Sequence, residues 1–122
     1  MRQSVFAILL SLPALPALAG AADVLDVRYT QSSDGSYTFH VTVRHDDEGW
    51  NHYADRWQVL GPDGSVLGER VLAHPHVSEQ PFTRSQSGIV IPDDLEEVSV
   101  RVHDSVHGWD GKAMAVPLKG RF

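Results

Sequence analysis

A chain of 122 residues with 42% hydrophobic content is long enough for one hydrophobic core and too short for two. Sixteen Asp and Glu against ten Lys and Arg give a formal net charge of −6, which argues against nucleic acid and anionic membranes as partners and favours cations or a basic protein surface. Cysteine is absent, which sets aside disulfides, thiolate metal ligands and a lipid anchor on Cys.

The first nineteen residues read as a secretory signal peptide. Arg2 is the positive start, Val5 to Leu18 is uncharged and mostly apolar, and Ala17-Leu18-Ala19 is a small-x-small cleavage site. The stretch is too short for a comfortable membrane span, and Pro13 and Pro16 stand just before the cut. Cleavage is expected between Ala19 and Asp23, leaving a folded domain over 20–122 without a membrane span, in the periplasm or outside the cell.

Period-two alternation dominates the remainder, and no window of eleven residues carries helical spacing, so the domain is expected to be all-β. Val24 to Thr30 is the first strand, closed by Ser32-Ser33-Asp34-Gly35. In the second, Tyr37, Phe39, Val41 and Val43 share an inward face, and Thr38, His40, Thr42 and Arg44 share the outward one. A third strand spans Tyr53 to Leu60 with Trp57 and Val59 inward, and Gly61-Pro62-Asp63-Gly64 turns it into a fourth, Val66 to Ala73. Phe82 to Ile91 is the fifth, its alternation broken by a bulge near Ser87-Gly88. Val98 to His103 places three valines inward, and Met114 to Leu118 completes the set.

Seven short strands, turns every eight to twelve residues and Trp57 on the third strand resemble an immunoglobulin-like or fibronectin-type-III-like sandwich of secreted bacterial proteins. The resemblance covers most of residues 23 to 118. It lacks the paired cysteines of antibody domains and the penultimate-strand tyrosine of fibronectin-type domains. It implies a seven-stranded antiparallel immunoglobulin-like β-sandwich, and fold analogy alone implies no activity.

That topology gives the histidines a place. Loops after the second, fourth and sixth strands share one pole, and six of the seven histidines, His45, His52, His74, His76, His103 and His107, lie in or beside them. Pro75 extends the backbone at His74, so His74 and His76 point the same way, as two imidazoles on one metal require. His103 and His107 flank the sixth loop, and His52 opens the third strand. These five are the candidate ligands. His45 has inward parity and is read as a packed histidine, and Asp104, also inward, as a cap on its own loop. Asp46, Asp47, Glu48, Asp55, Glu79, Asp110 and Asp104 itself lie in or beside the same loops and are alternatively oxygen ligands or acceptors that fix an imidazole tautomer. Imidazole and carboxylate without thiolate suit Zn(II), Cu(II) or Ni(II), with Zn(II) or Cu(II) the expected cofactor.

Trp50 and Trp109 each follow a glycine in these loops, with Tyr53 nearby, and are either lids on the core or anchors for a partner. No nucleophile elbow, glycine-rich phosphate loop or HExxH motif occurs, so no enzyme activity is expected. The expectation is a small secreted binding protein whose histidine-rich pole takes a divalent transition metal. The alternative is a metal-independent module that binds a protein or carbohydrate through Trp50, Trp109 and Tyr53.

Overall fold

The computed structural model describes residues 20–119, so the leader expected at 1–19 lies outside the described residues. Seven antiparallel strands form two facing sheets: β1 (Asp23–Gln31), β2 (Tyr37–Arg44) and β5 (Phe82–Ile89) in the order β1-β2-β5, and β3 (Ala54–Leu60), β4 (Val66–Val71), β6 (Glu97–Asp104) and β7 (Met114–Pro117) in the order β4-β3-β6-β7. The all-β sandwich read from the alternation is the one observed. Among the described residues no helix is long and apolar enough to cross a membrane.

Alternation places the core. Tyr37, Phe39, Val41 and Val43 of β2 face Trp57 and Val59 of β3 and Val98, Val100 and Val102 of β6. The outward face of β2 is tied to β5 by side-chain hydrogen bonds, Thr38 with Ser87, His40 with Ser85 and Thr42 with Thr83. The bulge expected in β5 is present: Tyr37 pairs with Ile89 but Phe39 with Gln86, so one strand carries an extra residue beside Gly88, which has φ 72°. β4 ends at Val71, two residues before the expected Ala73, because Leu72 turns inward while its N–H still reaches Asp55 O at 2.9 Å.

The two poles are built differently. At one, 32–36 and 61–65 are wired alike: Ser32 N donates to Ser36 O and Gly61 N to Ser65 O, while Asp34 and Asp63 each accept from the backbone and hydroxyl of the serine two residues on. Those bonds to Ser36 and Ser65 hold both carboxyls below the ordinary aspartate value. At the other pole the loops depend on one another. Ser105 N donates to Tyr53 O and Tyr53 N to Ser105 Oγ, joining the β6–β7 and β2–β3 loops. The chain before β1 is strapped there too. Val24 N donates to Lys112 O, Lys112 N to Asp23 Oδ1, and Ala22 is fully buried.

Candidate metal centre

His45 follows the last residue of β2, Asp104 is the last residue of β6, and His52 stands two residues before β3. Strand parity turns His45 and Asp104 inward from opposite sheets, and they meet where the core ends, 3% and 0% exposed. Gly49, at φ 103°, folds the intervening loop back so that His52 N donates to Gly49 O and Glu48 N to His52 O, which brings the His52 ring over the same spot.

Three donor atoms converge. His45 Nε2 is 3.2 Å from His52 Nε2 and 3.3 Å from Asp104 Oδ2, and His52 Nε2 is 3.6 Å from Asp104 Oδ1. The outer ring nitrogens are engaged by carboxylates, His45 Nδ1 with Asp47 Oδ1 at 2.5 Å and His52 Nδ1 with Glu48 Oε1 at 2.8 Å. An ionised carboxylate only accepts, so each Nδ1 carries a proton, and in the neutral ring Nε2 is the lone pair that faces the centre. Among the described residues Asp104 Oδ2 is buried with no hydrogen-bond partner, and Oδ1 accepts from the N–H groups of Val106 and His107. Two nitrogen lone pairs and an anionic oxygen within 4 Å repel one another unless a positive charge sits among them.

The spacing fits a small metal ion. Bonds of about 2.0–2.2 Å to imidazole nitrogen and carboxylate oxygen in tetrahedral geometry put neighbouring ligand atoms roughly 3.3 Å apart. The 3.2 Å between the two Nε2 atoms and the 3.3 Å from His45 Nε2 to Asp104 Oδ2 match two edges of that tetrahedron. Burial opposes ionisation of Asp104 more than any other single influence, yet the His107 and Val106 N–H groups, with His45 and His52 beside it, hold its carboxyl below the ordinary aspartate value. It is an anion ready to ligate.

The five expected ligands fall into separate places. His52 is in the cluster, and the His107 ring packs edge-on against it at 5.1 Å between centroids. His103 faces away: its Nδ1 bonds Asp55 Oδ1 at 2.6 Å on the outer face of the four-stranded sheet, with its ring against Trp109. His74 and His76 come together, rings 4.8 Å apart, but His76 is buried flat against Phe82 at 4.0 Å and only its backbone N–H reaches the cluster's surroundings, through Asp47 Oδ2. His45 and Asp104, read from sequence as packing and capping residues, complete the cluster. The cap is real, since Asp104 Oδ1 holds the loop, but Oδ2 is left for something else. The sequence did carry a signal for them: an ionisable residue with inward parity at the end of a buried strand needs a charged or hydrogen-bonding partner.

The aromatic candidates also divide. Trp109 lies over the outer sheet face with the Arg101 guanidinium 3.9 Å and that of Arg56 5.4 Å from its ring. Trp50 is 67% exposed and touches Tyr53 edge-on at 5.6 Å.

Over 95 residues the chain is 45% identical to a protein of Halomicrobium mukohataei described as a putative lipoprotein. The match covers 78% of this chain and 46% of that protein, so the chain spans about half the length of its relative. No family model and no solved structure matches.

Proposed function

We propose that this chain is an exported binding protein, held in the cell envelope or released from it, that takes one divalent transition metal ion, Zn(II) or Cu(II), at His45, His52 and Asp104. The observation that carries the reading is the convergence of the His45 and His52 Nε2 atoms on the buried Asp104 carboxylate, each imidazole oriented by its own carboxylate. The leader-like start and a relative described as a lipoprotein support export. The strand order supports the immunoglobulin-like resemblance, with the fourth strand beside the third instead of in the first sheet where antibody constant domains carry it. Burial of the donor atoms favours holding an ion over processing a substrate, so we read a binding role and no enzyme activity.

Elemental analysis of the tag-free exported protein, followed by calorimetric titration of Zn(II) and Cu(II), tests the reading. The parent is expected to bind one ion and to gain about 2.7 kcal/mol of stability at metal one hundred times its dissociation constant. His52→Ala should abolish that gain, whereas His74→Ala with His76→Ala should leave it. Loss of binding only in the His74 and His76 variant would move the site to that pair. Equal, weak heats in every protein would favour a metal-independent module at the same pole, where Trp50, Val77 and Val106 are exposed and available to a protein or carbohydrate partner.

A further inference from the structure

His45, His52 and Asp104 supply three donors and leave further coordination positions to be filled. The Gly20 carbonyl oxygen lies 3.1 Å from His45 Nε2, the same spacing as the other edges of the cluster. With His45 neutral and its proton on Nδ1, the Gly20 carbonyl stands beside the His45 lone pair as a further oxygen donor at that side of the cluster. Gly20 is not there by chance of a loose end. Ala22 is fully buried, its carbonyl oxygen would stand 1.6 Å from a Cβ on Gly111, and the bonds from Val24 to Lys112 and from Lys112 to Asp23 fix the next two residues. Gly20 and Ala21 also line, with Arg44, His45, Asp110 and Lys112, an open recess that reaches the His45 side of the cluster.

Ala17-Leu18-Ala19 ends immediately before Gly20. Cleavage after Ala21 or Ala22 fits small-residue rules nearly as well, but either cut removes the Gly20 carbonyl, and the second also removes a residue packed in the core. We propose that the mature protein begins at Gly20 and that its new α-amino group, with its own carbonyl oxygen, closes the coordination of the metal held by His45, His52 and Asp104. Hydrolysis of the Ala19–Gly20 bond consumes one water and leaves a carboxylate on Ala19 and an amine on Gly20. An amine nitrogen and the carbonyl oxygen of one residue form a five-membered chelate, which suits the same borderline metals as imidazole. The amide nitrogen of an uncut Ala19–Gly20 bond cannot donate in this way. The full site therefore exists only after export, and the precursor does not take metal from the cytoplasm with the affinity of the mature form.

The inference rests on the metal reading above, and one experiment separates the two. The full chain is exported and its mature mass determined, alongside a variant with Ser-Thr inserted between Ala19 and Gly20, so that cleavage after Ala19 leaves two residues ahead of Gly20. Both are titrated with Cu(II) and examined by electron paramagnetic resonance. The parent is expected to start at Gly20, to bind at least tenfold more tightly than the insertion variant, and to show one more coordinated nitrogen. A parent beginning at Ala22 or Asp23, or equal affinity and identical spectra in the two proteins, overturns the inference and leaves the three-residue site standing. Failure of both proteins to bind overturns the site as well.

Discussion

His76 is held in a position that suits only its neutral form. Its ring lies flat on Phe82, both ring nitrogens are buried without hydrogen-bond partners among the described residues, and Arg84 and His74 stand nearby. Burial first, and then the positive charges of Arg84 and His74, push its pKa below the ordinary 6.5. The sign follows from proton counting. As pH falls below about 6.5 the unfolded chain takes up a proton that the native ring resists, so native stability falls with it. His76→Phe keeps the stack and the backbone N–H to Asp47 while removing the proton and the two unpaired nitrogens. The variant should match or exceed the parent at pH 7, by about 1 kcal/mol, and lose less stability between pH 7 and 5.5. Melting temperatures across that range check it; parallel curves would assign the pH dependence to other groups.

Among the elements, the strap of residues 22–24 on the β6–β7 loop is the one a single methyl group can test. A Cβ on Gly111 would meet the Ala22 carbonyl at 1.6 Å, a backbone atom that can yield only if the strap shifts. Gly111→Ala should cost roughly 1–3 kcal/mol in denaturant unfolding, in the range of overpacking. Gly20→Ala, with nothing among the described residues within 4 Å of the new methyl, is the matched control and should leave stability unchanged. A Gly111 variant as stable as the control would mean that the strap is loose.

The strands themselves were readable because alternation reports which side of a sheet each residue takes. It separated Thr38, His40 and Thr42 from the core of β2, and its break at Ser87-Gly88 marked the bulge of β5. The cluster was less readable, because period two places His45 and Asp104 in the core without saying that the ends of β2 and β6, in different sheets, meet each other. The same rule that turns Asp104 inward turns His103 out to Asp55, so neighbours in sequence serve opposite faces. Counting histidines near a pole could not separate them. The turn formed at Gly49, which sets the His52 ring, depends on loop conformation that no periodicity encodes.

At the scale of the whole molecule, Trp57 of β3 is among the largest fully buried side chains in the core between the two sheets. Trp57→Ala should cost about 3–5 kcal/mol, a large share of the 5–15 kcal/mol typical of such a domain. Chemical denaturation measures it, and a loss below 1 kcal/mol would contradict the central place given to this residue. The far pole, with its self-contained Asp34 and Asp63 turns, should tolerate insertion, whereas the histidine pole should not, since its loops hold one another in place.

Asp47 joins three of those parts. Its Oδ1 takes His45 Nδ1 and the Ala54 N–H, and its Oδ2 takes the His76 N–H at 2.6 Å. With its oxygens so occupied it is not a ligand, but two backbone amides, one at the start of β3 and one in the β4–β5 loop, end on a carboxylate that also orients the His45 ring. Exchange of those two amide hydrogens with solvent requires the carboxylate to let go, and His45 is one of the groups that hold it. The amides of Ala54 and His76 are therefore built-in reporters: their exchange should slow together when an ion locks His45 in place.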